Sequence, residues 1–331
     1  MARVYPRSWR PERNLGGAMA DWRYWWKRSA MVDARNPLRR LARRASFVRS
    51  ALALDGLLAP LIDAPAGSYA ARVLAARPTL LGVLSWPYVS AWWPVRRRTE
   101  HLARHLASAA ELPGLAVDVD EARVLLDLHE VAPGLRVVLD HAQWFLREGP
   151  LVVNLFVADE RVYSLAFSLG RDADGRRAAW IGAVQGRSLE TALDTYRDLT
   201  KALHGMRPRD YLVELFRMLC RAAGIEAIYA VADSARVHRS PYFGRAADGK
   251  LQVNYDEVWT ERGGTPFDAD LFRLPLTGAL KPLEEVPSKK RAMYRRRYEL
   301  LEASQRGIDA AYAAAAGAGP PAASASSSPE Q

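Results

Sequence analysis

The sequence has few of the residues on which cross-links and catalytic signatures depend. It contains one cysteine, Cys220, in 331 residues, which excludes an intrachain disulfide. Cys220 lies in an apolar helical stretch, where a thiol is expected to pack in the core. Among six histidines, His101 and His105 are one helical turn apart. No H-E-x-x-H pattern accompanies them, so we predict a half-exposed helix face and no metal site.

Lysine is also scarce, and the basic residues are unevenly placed. Six of the 47 basic residues are lysines, so 41 are arginines. Residues 1–50 hold thirteen basic and three acidic residues, a difference of +10 that equals the net charge of the whole chain. This arginine- and tryptophan-rich arm suits an anionic partner, either a membrane surface, an acidic protein or nucleic acid. A solvated leader is the alternative.

Long apolar runs are few. The N-terminus lacks the apolar core of a secretory signal, and the longest uncharged run ahead of the Ala/Ser/Pro tail, residues 78–95, contains three prolines that argue against a spanning helix. Its aromatic residues suit either a buried element or an interfacial one. We therefore expect a cytoplasmic protein, with peripheral association at the inner membrane as an open alternative.

The hydrophobic pattern divides the chain into four regions. We predict a basic arm (1–45), a helical region (46–130), a mixed-sheet core (131–305) and a disordered Ala/Ser/Pro tail (306–331). From residue 135 four runs rich in β-branched and aromatic residues predict a consecutive antiparallel meander, which two helices and the buried strand IEAIYAVAD follow. The fold class is therefore α+β, a helical part followed by a mixed, largely antiparallel sheet with flanking helices.

The end of the fourth strand is a candidate donor site. Gln185, Gly186 and Arg187 stand between a strand and a helix, where backbone N–H groups can bind a pyrophosphate. The order of strand, glycine turn, helix and strand resembles the acyl-CoA-binding half of the N-acetyltransferase superfamily. The resemblance implies an acyl-CoA or another acyl donor as cofactor. This chain departs from that pattern because its Q/R-x-x-G-x-G/A turn is absent and two helices follow the strand.

Candidate acids and bases follow the buried strand. Asp233 lies at its end, and His238 could act as a general base near neutral pH. A short strand LQVNY then leads into an acidic-aromatic patch, defined here as Tyr255, Asp256, Glu257, Trp259 and Glu261. Glu257 is the third candidate base, and internal pairing with arginines is the alternative role for this patch. If the segment is extended, Asp256 and Glu257 point to opposite faces.

A basic amphipathic helix is predicted from residue 288. Met293, Tyr294, Tyr298 and Leu301 form its apolar side. Lys289, Lys290, Arg291, Arg295 and Arg296 surround that side. Such a helix can lie on an anionic membrane or bind phosphates, and docking against the acidic patch is equally open.

Several segments together resemble the bacterial VirK/YbjX family. They are REGPLVVNLFVADERVYSLAFSL, IGAVQG, RP-x-x-YLVELF, AVAD, NYDEVWTERGG, LP and VPSKKRAMYRRRYELL, in this order within residues 70–303. The resemblance implies a role in virulence, envelope integrity and tolerance of cationic antimicrobial peptides, and it supplies no catalytic residues. We expect either an acyl- or aminoacyl-transferase acting on an envelope precursor, or a non-enzymatic adaptor for the membrane surface, with nucleic acid the less favoured partner.

Overall fold

A computed structural model of the chain describes residues 22–32, 36–187, 192–243 and 253–317. Five helices begin this part of the chain: α1 (Trp22–Arg28), α2 (Pro37–Ala53), α3 (Asp55–Ile62), α4 (Tyr69–Ala76) and α5 (Val95–Ala110). The Asn36 side chain accepts the N–H groups of Leu38 and Arg39, and Pro37 fits the first position, so α2 begins there.

The start of the predicted helical region, residues 46–63, belongs to two helices. It breaks at Leu54, and α2 and α3 meet at an angle of 86°. Across the described ranges, no helix alone has the length and apolar content to cross a bilayer, whereas this bent pair meets those criteria when taken together.

An eight-stranded mixed sheet forms the rest of the body and confirms the α+β class. Its strands are β1 (Ala122–Asp127), β2 (Leu135–Asp140), β3 (Leu151–Val157), β4 (Glu160–Arg171), β5 (Arg177–Gly186), β6 (Ala227–Val231), β7 (Thr265–Pro266) and β8 (Leu271–Leu274). The order is β1-β2-β3-β4-β5-β6-β8-β7. Strands β1 to β5 pair antiparallel, β5 pairs parallel with β6, and β8 pairs antiparallel with β6. The four predicted meander strands are confirmed as β2 to β5, whereas β1 lies in the region predicted to be helical.

Two helices connect β5 to β6, as predicted. They are α6 (Ala192–Ala202) and α7 (Pro208–Ala222). Gly205 and Gly224 follow them with φ of +78° and +64°, the left-handed backbone that glycine adopts without strain. The predicted N-cap of α6, Ser188, lies outside the described residues. Helix α7 is buried against the sheet, where Phe216 meets Phe167 edge to face at 4.8 Å. Cys220 is buried in α7, as expected.

The uncharged segment 78–95 is largely buried. A 3-10 helix, Pro78–Leu84, opens it, and Leu84, Trp86, Tyr88 and Trp93 are all buried. Trp92 is 53% exposed, but its indole N–H donates to the Ser234 carbonyl. The buried alternative for this segment is therefore confirmed.

His101 and His105 do not lie on a half-exposed face, so that prediction is wrong. Both are buried on the side of α5 that packs against β4. The Nε2 atom of His101 lies 2.6 Å from the Ser168 hydroxyl, and Nδ1 of His105 accepts the Leu169 N–H. The rings of Tyr88, Trp93 and Trp180, from segment 78–95 and from β5, surround His101, and the helical period of α5 alone does not show these contacts.

The last two helices of the described ranges are α8 (Tyr255–Glu261) and α9 (Ser288–Gly317). Helix α9 packs on α7 and β1, with Leu301, Ser304 and Ile308 buried. Its last twelve residues, 306–317, therefore lie in the predicted disordered tail. Alanine is the best helix former, which explains why this Ala-rich stretch extends the helix.

Candidate functional site

The candidate site lies where the parallel strands β5 and β6 separate. Their pairing ends at Ile181 and Ala230, although β5 continues to Gly186. Beyond this point one edge of β5 has no strand beside it in the described part of the chain. In parallel sheets the carboxyl ends of neighbouring strands are a common place for functional side chains.

Tyr255 fills the space between the separating strands. Its hydroxyl accepts the Val184 N–H at 2.9 Å and donates to the Val184 carbonyl at 3.0 Å. The side chain is buried, and the Arg236 guanidinium stacks 3.8 Å from its ring centre. Tyr255 therefore replaces the missing strand partner of β5.

Residues 255–261 are helical, so the extended geometry considered for Asp256 and Glu257 does not apply. Asn254 caps α8 by accepting the Asp256 N–H, so Tyr255 belongs to the helix and not to a strand LQVNY. The described part of that predicted strand, 253–255, contains no strand. One helical turn places Tyr255 and Trp259 on the same buried face, and the Trp259 indole N–H donates to the Val231 carbonyl.

Tyr255→Phe is expected to lower the free energy of unfolding by about 2–3 kcal/mol, since it leaves a buried backbone N–H and carbonyl of Val184 without partners. Urea denaturation measures the change. Tyr294→Phe, on the half-buried side of α9, is the matched control and should cost less than about 0.5 kcal/mol. Equal stability of Tyr255→Phe and the wild type would show that Tyr255 does not seal the strand gap.

Asp233 anchors α8 to the end of β6. Its carboxylate accepts from the Tyr255 N–H at 3.2 Å and from Arg236 and Arg239, and its own N–H donates to the Asp256 carboxylate. Burial raises the pKa of Asp233, but these hydrogen bonds outweigh that effect and hold the pKa below its usual value. A carboxylate with this many donors is a weak base, so the geometry favours an anchoring role for Asp233.

Glu148 was not predicted from the sequence, yet it lies directly on β5. It belongs to the loop between β2 and β3, and its carbonyl oxygen would be 1.9 Å from a Cβ on Gly182. Gly182 is the first β5 residue past the pairing with β6. Glycine is therefore required at 182, since it lets the Glu148 backbone approach the sheet at the strand gap.

Glu148 and His238 form a titratable pair in this gap. Oε1 of Glu148 lies 3.7 Å from Nδ1 of His238, and Oε2 has no hydrogen-bond partner among the described residues. Burial raises the pKa of Glu148 to about 7, against the lowering effect of Arg147. Burial, Arg236 and Arg147 lower the pKa of His238. Both shifts favour the neutral forms, so the pair is able to gain or lose a proton near neutral pH.

Aromatic rings and one strained residue hold the pair in place. Phe243 stacks on His238 with ring centres 5.5 Å apart, and Arg147 lies 4.9 Å from the ring centre of Trp86. The Val89 N–H donates to the Arg147 carbonyl, next to Glu148. Val89 has φ of +60°, a costly conformation for a β-branched residue. Backbone strain of this kind is concentrated at functional sites.

The predicted donor residues are near this gap but are already hydrogen-bonded. Gln185 and Gly186 pair with Ser164 and Tyr163 of β4, and the Arg187 N–H donates to the Val162 carbonyl. Residues 188–191, which would supply the free N–H groups of a helix start, lie outside the described ranges. The donor site therefore stays a prediction. Arg187→Glu tests it better than a bulky residue at 186, where a Cβ would meet the Tyr196 hydroxyl at 2.4 Å.

Among the described residues, no hydrogen bond or ion pair joins Glu257 to Glu148 or His238. It is exposed on α8, where the Asn254 amide donates to it, and it shares a surface groove with Asp256, Thr260 and Glu261. Glu261 forms ion pairs with Arg207 and Arg209 at the start of α7. The structure therefore unites Asp233, Tyr255, Asp256 and Trp259 at one edge and leaves Glu257 on the surface.

The predicted basic helix is confirmed as the start of α9. Its apolar side is anchored, with Tyr294 and Tyr298 edge to face and the Tyr298 hydroxyl donating to the Lys281 carbonyl. Its basic side chains are exposed: Lys289, Lys290, Arg291, Arg295 and Arg296. The acidic patch contacts α7 instead of this helix through the Glu261 ion pairs above. In the described ranges no group of three His, Cys, Asp or Glu residues could hold a metal ion.

Comparison with known proteins adds the family. A family model described as "Protein of unknown function (DUF535)" matches residues 37–310. The chain is 36% identical over 131 residues to uncharacterized protein YbjX of Escherichia coli K12, covering 40% of this chain and 39% of that protein. Two uncharacterized proteins of Haemophilus influenzae are 36% and 31% identical, covering 51% and 54% of this chain and 54% and 57% of theirs.

These curated relatives are matched over about half of their own lengths. No solved structure matches the chain significantly, so the N-acetyltransferase-like layout stays a prediction. The family match includes the whole sheet, Glu148, His238 and α8. The resemblance to the VirK/YbjX family is thus confirmed, and the chain belongs to the DUF535 family.

Proposed function

We propose that the protein is an acyl- or aminoacyl-transferase in which Glu148 and His238 move the proton of the acceptor. The observation that carries the proposal is the buried, partly unpartnered Glu148 carboxyl beside the half-exposed His238 at the gap between β5 and β6. A buried carboxyl with a raised pKa next to an imidazole lowers stability, and such pairs cluster in active sites.

The pair can supply general base catalysis. His238 presents Nδ1 to Glu148, which leaves Nε2 for the acceptor. As an amine or hydroxyl attacks the acyl carbonyl, its proton passes to Nε2, and the ionised form of Glu148, which is populated near its pKa of about 7, stabilises the imidazolium. The bond from the carbonyl carbon to the leaving sulfur or oxygen then breaks, and the proton moves to the leaving group. The distance of 3.7 Å between Oε1 of Glu148 and Nδ1 of His238 is long for a hydrogen bond, but substrate binding commonly shortens such contacts.

The resemblance to the VirK/YbjX family supports an envelope precursor as acceptor and a role in envelope integrity, virulence and antimicrobial-peptide tolerance. Arg187, at the end of β5, is placed to bind a phosphate-bearing donor if it leaves its ion pair with Glu160, which has an N···O distance of 3.2 Å. This exposed pair contributes little to stability, so a phosphate can displace it.

The test is transfer to hydroxylamine from acetyl-CoA, palmitoyl-CoA and aminoacyl-tRNA, measured as hydroxamate formed. His238→Gln and Glu148→Gln should each reduce the rate about 100-fold, the usual contribution of a positioned acid–base group. His204→Gln, a half-buried histidine in the turn after α6, is the matched control and should keep the wild-type rate.

Binding is measured separately by thermal denaturation, because a ligand bound only to the native state raises the melting temperature. A shift that Arg187→Glu removes and His238→Gln keeps would separate donor binding from catalysis. Absence of both transfer and thermal shift with all three donors would overturn the transferase proposal.

A second candidate is a non-enzymatic adaptor at an anionic surface, which the exposed basic side chains of α9 favour. Electrostatic binding of this kind should be lost between low and high salt, whereas a donor held in a pocket should resist salt. An inactive protein that binds anionic vesicles through Lys289 and Lys290 would favour the adaptor.

A further inference from the structure

The helices α1 and α2 form a surface of one charge. In residues 22–32 and 36–54 there are eight basic residues and no acidic residue. They are Arg23, Lys27, Arg28, Arg39, Arg40, Arg43, Arg44 and Arg49. A surface of this composition attracts an anionic partner.

Helix α2 also carries an exposed apolar stripe. Leu38, Leu41 and Leu52 are 75%, 54% and 37% exposed. At about 100° per residue, these leucines and Ala45 lie within an arc of about 60°, on the side away from buried Phe47. A surface helix normally presents polar residues outward. The leucine stripe therefore indicates that this face of α2 contacts an apolar partner, which the described residues of the chain do not supply.

A groove between the two helices extends this stripe. It is lined almost wholly by apolar atoms, from Trp22, Trp26, Ala45, Val48, Arg49 and Leu52. Trp22 is 55% exposed, and Arg44 lies 4.3 Å from the ring centre of Trp26. Tryptophan and arginine beside an apolar stripe are typical of elements that lie in a membrane interface.

Arginines beside exposed leucines and Trp22 favour a lipid surface over nucleic acid as the partner. Lipid phosphates can pair with the arginines, and the acyl region can accept the leucines and Trp22. A nucleic-acid backbone would satisfy the arginines but would leave the leucine stripe in water. An anionic bilayer matches both parts of this surface, since its headgroups are charged and its acyl region is apolar.

This surface adjoins the candidate site. Arg43 of α2 donates to the Tyr242 carbonyl at 2.9 Å and lies 4.0 Å from the centre of its ring. Tyr242 contacts Phe243 edge to face, and Phe243 stacks on His238. The Arg43–Tyr242 contact and two ring contacts thus connect α2 to His238.

We propose that α1 and α2 bind an anionic bilayer through the leucine stripe and its arginines. We further infer that the Glu148–His238 site acts on an amphiphilic substrate resident in that bilayer. The second statement rests on the proposed transferase function, whereas the first is independent of it.

Flotation of the full chain with phosphatidylglycerol and phosphatidylcholine vesicles tests the surface. We expect binding to the anionic vesicles, and a reduction of at least tenfold in the partition coefficient for the double variant Leu38→Asp/Leu41→Asp. Leu193→Asp, at an equally exposed leucine on α6, should bind as the wild type does. Circular dichroism verifies that the exposed substitutions leave the fold intact.

Three outcomes would overturn the proposal. The wild type could fail to bind anionic vesicles at low salt, or the double variant could bind as tightly as the wild type. Light scattering could show a dimer that the double variant loses, which would assign the stripe to a second copy of the chain. Glu148→Gln should bind vesicles normally, so a failure of the transferase proposal remains distinguishable from a failure of this one.

Discussion

Lowering the pH from 7 to 5 is expected to reduce the free energy of unfolding by about 4 kcal/mol. The cause is a set of three buried histidines: His101, His105 and His141. Burial lowers the pKa of His101 to about 3 and that of His141 to about 4, and it holds the pKa of His105 well below its usual value. In the unfolded chain these side chains protonate near pH 6.5.

The direction follows from proton counting. Between about pH 6.5 and 4 the unfolded state binds protons that the folded state excludes, so stability is present at higher pH and is lost as pH falls. Three histidines cost about 6 kcal/mol at pH 5. Glu148 acts in the opposite direction, because its folded pKa of about 7 lies above the unfolded value, and its protonation returns about 2 kcal/mol. The net loss is a large part of the stability of an ordinary domain.

Urea denaturation at pH 7, 6 and 5 measures this loss. His101→Gln removes one of the three groups and should reduce the difference between pH 7 and pH 5 by about 2 kcal/mol. His129→Gln, at an exposed position in the β1–β2 turn, should leave the difference unchanged. An identical pH dependence in His101→Gln and the wild type would show that His101 can be protonated in the folded state.

Most of the sheet could be predicted from the sequence because its strands are consecutive. In a meander, each strand pairs with its neighbour in the chain, so alternation and turn residues specify both existence and order. β1 was missed because its sequence, ARVLLD, is equally compatible with the helices that precede it. β8 was missed because four residues carry too little pattern.

The candidate site was predictable only in part. Asp233 and the acidic-aromatic patch follow a recognisable buried strand, and their proximity depends on α8 folding back onto β6. Glu148 could not be identified from the sequence. It is 90 residues from His238, and its burial depends on the absence of a side chain at Gly182. Adjacent glycine and proline, as at 149 and 150, are typical of a turn, but a turn does not specify the strand on which it packs.

The role of α8 shows why local pattern was misleading. LQVNYDEVW alternates enough to favour a strand, yet the Asn254 cap and the burial of Tyr255 and Trp259 select a helix. The gap between β5 and β6 needs a hydrogen-bonding side chain to replace a missing strand. A tertiary requirement of this kind overrides weak strand propensity.

Glu148→Gln is expected to be more stable than the wild type above pH 7, by about 3 kcal/mol. Ionising the buried carboxyl is opposed by its surroundings, and the difference between a folded pKa of about 7 and an unfolded value near 4.5 corresponds to this energy. The sign is opposite to that of the histidines: the stability due to Glu148 is full below pH 4.5 and is lost as pH rises through 7. Glutamine keeps the shape and carries no charge, so its advantage should appear only as pH rises.

Thermal and urea denaturation of Glu148→Gln and the wild type at pH 5 and pH 8 measures this difference. The two proteins should differ by less than about 1 kcal/mol at pH 5, and the variant should be more stable by about 3 kcal/mol at pH 8. Glu100→Gln, on the solvent side of α5, is the matched control and should show no such dependence. A charged residue that lowers stability at neutral pH is typical of an active site, since active sites commonly sacrifice stability for function. A variant less stable than the wild type at pH 8 would show instead that Glu148 is ionised and well paired, and the proton-moving role of the pair would lose its physical basis.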